Sequence, residues 1–230
     1  MPVIEVSGVS HEYGDPGNRR VVLADVSARL TEPRVGVIGA NGSGKSTFVR
    51  LLNGLVLPTQ GSVRVDGLDT RRDGREVRRR VGFCFTDPDA QIVMPTVRED
   101  IGFGLRRRGL GQEEVAVRVA TALDRYGLAD HADHPAHLLS GGQKQLLALA
   151  SVLVMEPAIL VLDEPTTLLD LRNTALVTDT VSGLEQQVVL VTHDLSALDG
   201  FDRALVFDEA RLVYDGAPED AVEHYEKLMR

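Results

Sequence analysis

A glycine-rich stretch, GANGSGKST, constrains the fold of this chain more than any other feature of its sequence. It occupies residues 39–47, follows the strand-like run VGVI and precedes the helical pattern KSTFVRLLNG. The spacing of Gly39, Gly44, Lys45 and Ser46 fits the pattern G-x-x-x-x-G-K-[S/T] of a phosphate-binding loop, which requires a strand before it and a helix after it. The sequence therefore predicts an α/β fold in which strand, loop and helix form a nucleotide site.

The residue types of this loop suit a nucleoside phosphate. Backbone N–H groups in a glycine-rich turn surround phosphate oxygens, and the N-terminus of the following helix favours an anion. Lys45 adds a charge that reaches the β- and γ-phosphates, and the hydroxyl of Ser46 is a ligand for Mg²⁺. A chance glycine-rich turn is the alternative, and the flanking strand and helix argue against it. We expect the whole loop to bind nucleotide, through Gly39, Ala40, Asn41, Gly42, Ser43, Gly44, Lys45, Ser46 and Thr47.

Two later apolar strands end in polar side chains. The run AILVL is followed by Asp163 and Glu164, and QVVLVT is followed by His193. Ligands of open α/β sheets bind at the carboxyl ends of the strands. We expect Asp163 to hold Mg²⁺, Glu164 to act as general base on the attacking water and His193 to contact the γ-phosphate. Taken alone, the two acids could equally cap a strand and the histidine could be structural.

The stretch LLSGGQKQ predicts a second helix start that can bind an anion. Ser140 and Gln143 have the spacing of a capping box, while Gly141 and Gly142 leave the helix end open to a phosphate. The glycine-rich loop already holds the nucleotide of its own chain, so this helix start makes sense if it serves a second copy. We expect two chains arranged head to tail, with two nucleotides buried between them.

The order and spacing of these motifs resemble the nucleotide-binding subunits of ABC transporters. The glycine-rich loop, LSGGQ, LVLDEP, LLD and VTHD together cover nearly the whole chain. The resemblance implies an α/β P-loop NTPase with a RecA-like core, an N-terminal antiparallel β subdomain and an inserted helical subdomain. It also implies ATP and Mg²⁺ as cofactors, adenine stacking by Tyr13 and a role for Asp170 at the dimer interface. An ordinary turn aromatic is the alternative interpretation of Tyr13.

We interpret residues 1–230 as a single ABC ATPase domain, with a helical subdomain at about residues 86–156 inserted in the core. A capping box formed by Thr96 and Glu99 begins one helix of this segment, and Gly127 ends the next. The last helix of the chain begins at Pro218.

One position departs from the ABC pattern. The family places a glutamine after the strand that precedes the helical subdomain, where it contacts Mg²⁺ or the attacking water and senses the membrane subunit. Here VGFCFTDPDAQ has Thr86 at that place and Gln91 five positions later. Threonine is shorter than glutamine and has no amide. We expect Thr86 to act through a bridging water, or coupling to rest on Gln91 and the neighbouring backbone.

The net charge and the hydropathy of the chain indicate whether nucleic acid or a membrane is a partner. A net charge of -9 argues against nucleic acid as a partner. The longest apolar stretch, residues 146–155, is about half of the roughly 20 residues that a membrane span needs, and the first residues lack the features of a signal peptide. The single cysteine, Cys84, favours a reducing compartment. The resemblance to ABC transporters implies a peripheral protein at the cytoplasmic face of the cell membrane, and without a span of its own the chain must obtain the membrane part from other chains.

The segment FTDPDAQIVMPTVREDIGFGL, residues 85–105, is similar to ATPases of energy-coupling-factor (ECF) importers for vitamins and metal ions. The threonine and the short C-terminus are most similar to the biotin-uptake ATPase, and the cobalt-uptake ATPase is second. This resemblance implies a transmembrane coupling protein and a membrane substrate-binding protein as partners. A soluble ABC ATPase that acts in assembly, such as iron–sulfur biogenesis, is the alternative. We expect a homodimer, because every other motif is intact, with a heterodimer of homologous ATPases as the alternative.

Overall fold

The computed structural model describes residues 1–15 and 17–230, and within them the chain forms two sheets and seven α-helices. The strands in chain order are β1 (Ile4–Tyr13), β2 (Arg20–Leu30), β3 (Arg34–Gly39), β4 (Gln60–Val65), β5 (Leu68–Asp69), β6 (Val81–Cys84), β7 (Ile159–Asp163), β8 (Gln187–Val191), β9 (Arg203–Asp208) and β10 (Arg211–Gly216). The helices are α1 (Lys45–Leu52), α2 (Gly74–Arg80), α3 (Val97–Arg106), α4 (Gln112–Arg125), α5 (Gly141–Leu153), α6 (Leu171–Ser182) and α7 (Pro218–Leu228).

The chain divides into two compact units. Unit 1 contains Met1–Val81, Ala158–Glu164 and Glu185–Arg230, and unit 2 contains Gly82–Pro157 and Pro165–Leu184. Both sheets contribute strands to unit 1, while helices α3, α4, α5 and α6 lie in unit 2. The α/β class predicted from the sequence is confirmed.

The first sheet of unit 1 is antiparallel, with the strand order β2-β1-β4-β5. Ile4 of β1 lies opposite Leu30 of β2 on one side and Val65 of β4 on the other. All three side chains are fully buried. A row of aliphatic residues across three strands therefore holds this sheet in register, as cross-strand packing does in antiparallel sheets generally.

The second sheet brings strand ends together at one edge. Within unit 1 its strand order is β10-β9-β3-β8-β7, in which β9, β3, β8 and β7 run parallel and β10 runs antiparallel to β9. Every residue of β7 and β8 is buried, as is typical of parallel strands covered on both faces. Val191 pairs with Val37 of β3 and with Asp163 of β7. The carboxyl ends of β7 and β8 are therefore level with each other, and β3 ends two residues beyond them at Gly39.

The local helix signals read from the sequence in unit 2 are confirmed. Thr96 and Glu99 form both hydrogen bonds of a capping box at the start of α3. Helix α4 ends at Arg125, and Gly127, two residues beyond that end, has a left-handed φ of 65°. Cys84 is fully buried, and burial raises the pKa of its thiol to about 12. In unit 1, Pro218 is the first residue of α7, as predicted.

Asp100 of α3 acts as a buried hydrogen-bond centre in unit 2. Its Oδ1 atom accepts from the backbone N–H groups of Val93 and Met94, at 2.9 and 3.0 Å. Its Oδ2 atom accepts from the hydroxyl of Ser151 on α5 at 2.9 Å. One carboxylate thereby joins the segment before α3 to both α3 and α5.

In the part of the chain that the structure describes, no helix combines the length and the apolar character needed to cross a bilayer.

Arg203 links four segments of unit 1. Its guanidinium donates to Asp215 at 2.6 and 2.7 Å, to Glu32 at 3.0 and 3.1 Å, and to the carbonyl oxygen of Arg29 at 2.8 Å. The hydrogen bonds to Asp215 raise the pKa of Arg203. Burial alone would raise the pKa of Glu32, but the backbone N–H of Thr31 and the Arg203 cation more than offset this, and the pKa is lowered.

We expect Arg203→Gln to lower the free energy of unfolding at neutral pH by about 1–2 kcal/mol, because two carboxylates lose the cation that they share. Chemical denaturation of both proteins measures the difference. The lowered pKa of Glu32 means that its ion pair stabilises the fold above the ordinary value of 4.5 and is lost as pH falls below it. The difference between the two proteins should therefore shrink in acid. Lys227→Gln, which removes an exposed pair with Glu223, is the control and should leave stability unchanged.

Candidate nucleotide site

The glycine-rich loop connects β3 to α1 through left-handed backbone. Gly39, Gly42 and Gly44 have φ values of 144°, 79° and 107°, which L side chains rarely adopt. A side chain on Gly39 would overlap the carbonyl group of Phe207, and one on Gly44 would overlap that of Val22. The conformation of the loop therefore requires glycine at these positions, both for its dihedral angles and for its close approach to neighbouring backbone.

Three polar side chains of this loop, those of Ser43, Lys45 and Thr47, are buried. Lys45 donates from Nζ to the carbonyl oxygens of Gly39 and Ala40, at 2.8 and 2.9 Å. Burial lowers the pKa of Lys45 below its ordinary value of 10.5, and the nearby carboxylates of Glu164 and Asp163 partly offset this. The hydroxyl of Ser43 is also buried and has no hydrogen-bond partner among the described residues. A buried cation and an unpartnered buried hydroxyl both suit anionic oxygens.

A cavity of about 300 Å³ lies against the loop. Glu164, which follows β7, contributes to its wall, and Arg20 and Val22 of β2 complete the lining. The loop residues that line it are Asn41, Gly42, Gly44, Lys45, Ser46 and Thr47. The structure thus brings together most of the loop that the sequence predicted to bind nucleotide. No motif in the sequence pointed to Arg20 and Val22.

Asp163 is the last residue of β7, and its side chain is completely buried. The hydroxyl of Ser46 donates to its Oδ1 atom at 2.8 Å, and Nη2 of Arg50 lies 3.1 Å from its Oδ2 atom. The predicted pair of Mg²⁺ ligands, Ser46 and Asp163, is therefore in direct contact. Among the described residues there is no cluster of three or more acidic, histidine or cysteine side chains for a metal. A hydroxyl and one carboxylate fit Mg²⁺ all the same, since this ion keeps several waters and binds substrate phosphates.

Arg50 is a site residue that the sequence analysis missed. It lies four residues after Ser46 on α1, so both side chains lie on the same face of that helix. The four-residue spacing of Ser46 and Arg50 is visible in the sequence, but it identifies Asp163 as their shared partner only once β7 is known to lie beside α1. Because Asp163 is buried, the Arg50 cation offsets part of the cost of keeping this carboxylate charged.

Glu164 and His193 are brought together as the sequence predicted. The Oε1 atom of Glu164 lies 2.8 Å from Nε2 of His193. Glu164 has a positive φ of 53°, which is uncommon for a residue other than glycine, and its backbone N–H donates to the carbonyl oxygen of Val191 at 3.1 Å. That bond ties the residue after β7 to the end of β8, from which His193 follows. The pair can act as a carboxylate base held in place by an imidazole.

Tyr13 lies at the end of β1, opposite Arg20 on β2. Its side chain is 44% exposed and makes an edge-on contact with the ring of His11. Arg20 lines the cavity beside the loop. Stacking of Tyr13 on adenine stays a prediction.

The predicted second helix start lies in unit 2 and forms a complete capping box. The backbone N–H of Gln143 donates to the Ser140 hydroxyl at 3.3 Å, and the backbone N–H of Ser140 donates to Oε1 of Gln143 at 2.9 Å. Gly141 is exposed, whereas Gly142 is buried, and a side chain on Gly142 would overlap that of Asn173 on α6. Room for a phosphate is the reason for glycine at position 142 that the sequence predicts. The close packing of α6 against α5 gives a further reason that no local pattern revealed.

Two other predicted residues, Asp170 and Thr86, also lie in unit 2. Asp170 is exposed and caps α6 by accepting from the backbone N–H of Asn173 at 2.8 Å. Thr86 lies two residues after β6 and is half-buried. Both atoms of the Gln91 amide are bound to backbone: Oε1 accepts from Phe85 N–H at 3.2 Å, and Nε2 donates to the carbonyl oxygen of Ala148 at 3.1 Å. Gln91 therefore joins the segment after β6 to the middle of α5.

Comparison with known families decides the class of the chain. The model of the ABC transporter family matches residues 23–167, a span that includes the glycine-rich loop, Ser140–Gln143, Asp163 and Glu164. The chain belongs to the ABC transporter ATP-binding family. The family resemblance read from the sequence is thereby confirmed, and ATP is the nucleotide that an ABC ATPase binds and hydrolyses.

Two curated ABC relatives show the similarity over nearly the whole chain. The biotin transport ATP-binding protein BioM of Rhizobium etli is 49% identical over 209 residues, which are 91% of this chain and 93% of the relative. The energy-coupling factor transporter ATP-binding protein EcfA1 of Symbiobacterium thermophilum is 42% identical over 240 aligned residues, covering 99% of this chain and 83% of the relative.

Solved structures confirm the ABC ATPase fold. CbiO1 of Clostridium perfringens, described as part of the ABC transporter complex CbiONQ, has a TM-score of 0.82 and 31% identity, covering 98% of this chain and 92% of that chain. A dimeric ATP-binding cassette in a post-hydrolysis state, bound to ADP and Pi, has a TM-score of 0.83 and 26% identity, covering 94% of this chain and 98% of that chain.

We expect Arg50→Gln in this ABC ATPase to lower the free energy of unfolding by about 1–3 kcal/mol, because the buried Asp163 carboxylate loses a charged partner. Denaturation of Arg50→Gln, Asp163→Asn and the double variant forms a thermodynamic cycle. The second substitution should cost less in the presence of the first, with a coupling of at least about 0.5 kcal/mol.

The matched control is Arg98→Gln, which removes a cation from the exposed carboxylate of Asp133 and should leave stability nearly unchanged. Strictly additive costs for Arg50→Gln and Asp163→Asn would show that their contact does not stabilise the fold.

Proposed function

We propose that this chain is the ATP-hydrolysing subunit of an ECF-type importer, with biotin as the solute. The observation that carries the hydrolytic part is the group formed by Lys45, Asp163, Glu164 and His193 around the glycine-rich loop. Lys45 is close enough to both carboxylates for them to affect its pKa, and the Glu164 carboxylate lies 2.8 Å from His193. These are the charges that attack of water on a γ-phosphate requires.

Each side chain has a defined part in this chemistry. Lys45 and the N–H groups of the loop bind the β- and γ-phosphate oxygens, and their positive charge stabilises the anionic transition state. Glu164 accepts a proton from the attacking water, and His193 orients its carboxylate and contacts the γ-phosphate. Ser46 and Asp163 would hold Mg²⁺, which neutralises charge on the phosphates when bound. Loss of the γ-phosphate removes charge-assisted contacts and thereby lets the ATP-dependent dimer reopen.

Two copies of the chain are proposed to share two ATP molecules. The solved cassette bound to ADP and Pi is a dimer, and this supports a dimer of this chain; the head-to-tail arrangement is inferred from the second helix start. In the proposed dimer, residues Ser140–Gln143 of one copy bind the γ-phosphate held by the loop of the other, and Asp170 lies at the interface. The homodimer is favoured because one chain carries both half-sites. A homologous ATPase as second subunit is the alternative.

The transport role rests on the relatives. The match to BioM of R. etli supports biotin, and the match to EcfA1 of S. thermophilum supports an ECF-type importer. We propose that the chain is a peripheral subunit at the cytoplasmic face of the membrane, bound to a transmembrane coupling protein and a membrane substrate-binding protein. Nucleic acid is not proposed as a partner, since the chain has a net charge of -9.

A cobalt-type importer is the second candidate. The structural match to CbiO1, part of the CbiONQ complex, favours it. The biotin assignment is preferred because BioM of R. etli is 49% identical to this chain, whereas CbiO1 is 31% identical.

We expect Glu164→Gln to reduce the ATPase rate at least about a hundredfold, because an amide cannot accept the proton of the attacking water. ATP binding should persist, since the loop and Lys45 are unchanged. Steady-state phosphate release and equilibrium ATP binding measure the two effects. Glu185→Gln, which changes an exposed glutamate, is the matched control and should keep the wild-type rate. A Glu164→Gln protein that hydrolyses ATP normally would remove Glu164 from the mechanism.

We expect affinity purification of the tagged chain from its native membranes to recover two integral membrane proteins in addition to the ATPase. Cells that lack the chain should lose ATP-dependent uptake of labelled biotin and regain it with the wild-type chain but not with Glu164→Gln. Uptake of Co²⁺ instead of biotin would favour the second candidate. Recovery of soluble partners alone would contradict the transport role and leave the ATPase standing.

A further inference from the structure

We propose that His131 is a positioning residue for the ATP-dependent dimer: it fixes the amide of Gln143 and with it the N-terminus of α5. The inference rests on the proposed function, because it concerns the helix start assigned to the nucleotide of the second copy. His131 lies outside the LSGGQ stretch, at the end of the 3₁₀ turn Ala129–His131, and is half-buried. The family motifs therefore did not point to it.

A chain of hydrogen bonds leads from the backbone of the helix start to two histidines. The backbone N–H of Ser140 donates to Oε1 of Gln143 at 2.9 Å. The Nε2 atom of Gln143 lies 2.8 Å from Nε2 of His131, and Nδ1 of His131 lies 2.9 Å from Nδ1 of His134. The rings of the two histidines are 4.9 Å apart between centroids.

The donor and the acceptor of every hydrogen bond in this series follow from the first bond, between Ser140 and Gln143. A backbone N–H can only donate, so the Gln143 atom that faces Ser140 is the carbonyl oxygen, and the NH₂ group faces His131. Because an NH₂ group can only donate, Nε2 of His131 must accept and carries no proton. A neutral His131 then has its proton on Nδ1 and donates it to Nδ1 of His134. His134 in turn has its proton on Nε2.

This arrangement leaves one orientation for the Gln143 amide. If the amide were reversed, its NH₂ group would oppose the N–H of Ser140 and its oxygen would face the unprotonated Nε2 of His131. Both contacts would then be repulsive, and both hydrogen bonds would be lost. The acceptor atom of His131 therefore holds Gln143 in the orientation that completes the capping box.

The helix start is thereby fixed from two directions. On one side Asn173 of α6 packs against Gly142 so closely that no side chain fits there. On another side His131 holds the Gln143 side chain, while the Gln143 backbone N–H is bound to the hydroxyl of Ser140. Helix N-termini bind anions with groups that are already in place, since ordering them during binding costs free energy. A Gln143 side chain without its acceptor would reintroduce that cost.

The first test reads the proton positions directly. Long-range ¹H–¹⁵N spectra of the imidazole rings distinguish the two neutral tautomers, and we would record them on the full chain at about pH 8, where imidazole is uncharged. Histidine in water favours the Nε2–H form. We expect His131 in the rarer Nδ1–H form and His134 in the Nε2–H form, with signals assigned from the spectra of His131→Gln and His134→Gln. An Nε2–H form of His131 would overturn the proposal.

The second test measures dimer formation. In a Glu164→Gln background, where hydrolysis is blocked, sedimentation gives the ATP concentration needed for half of the chains to dimerise. We expect His131→Leu to raise this concentration about fivefold to tenfold, through loss of one hydrogen bond. His131→Gln keeps an acceptor oxygen and should stay within about twofold of the parent. ADP binding to the monomer depends on the glycine-rich loop and should be equal in all variants.

His137→Leu is the matched control, because His137 is exposed and lies closer in sequence to Ser140 than His131 does. It should dimerise like the parent. Equal dimerisation of His131→Leu and the parent would overturn the positioning role. Equal impairment of His131→Leu and His131→Gln would also overturn it, by showing that packing of the ring matters rather than its acceptor. Failure of the parent to dimerise with ATP would instead contradict the proposed function, while the tautomer spectra would still report on the hydrogen-bond chain.

Discussion

The parallel pairing of β3, β8 and β7 is the constraint on which the nucleotide site depends. Val191 pairs with Val37 on one side and Asp163 on the other, so β7 and β8 end level with each other and β3 ends two residues beyond them. This register brings the glycine-rich loop, Glu164 and His193 to the same edge of the sheet. A slip of one residue in either ladder would move the polar side chains to the opposite face of the sheet, because side chains alternate along a strand.

Burial of Asp163 follows from the same register and creates an electrostatic problem. A completely buried carboxylate is costly unless charged or polar groups surround it. Ser46 and Arg50, one helical turn apart on α1, bind one oxygen each. The helix that presents its N-terminus to phosphate thus also supplies these two contacts to the carboxylate. The α1–β7 contact offsets part of the cost of burying the Asp163 carboxylate, and the proposed chemistry uses the same contact to bring a hydroxyl and a carboxylate together for Mg²⁺.

Contiguous motifs were predictable from the sequence, and contacts between distant segments were not. The loop at residues 39–47, the capping boxes at Thr96 and Ser140 and the Glu164–His193 pair follow from local spacing and from the rule that ligands bind at strand ends. The partners of Asp163, Gly142 and Gln143 depend on which helices pack together, which a single sequence does not reveal. The role of Thr86 stays a prediction. Gln91, five residues after Thr86, bridges Phe85 and Ala148, so its side-chain amide binds backbone groups within unit 2.

Lys45 shows how the loop can favour a phosphate over its own backbone. Its ammonium group donates to two neutral carbonyl oxygens, and burial lowers its pKa while Glu164 and Asp163 partly restore it. A phosphate oxygen in place of a carbonyl is anionic, and hydrogen bonds between ionised groups are roughly twice as strong as neutral ones. The exchange also brings negative charge next to a cation that burial destabilises. The desolvation that the fold imposes on Lys45 thereby strengthens its preference for the triphosphate, because the anion relieves a cost that neutral carbonyls leave in place.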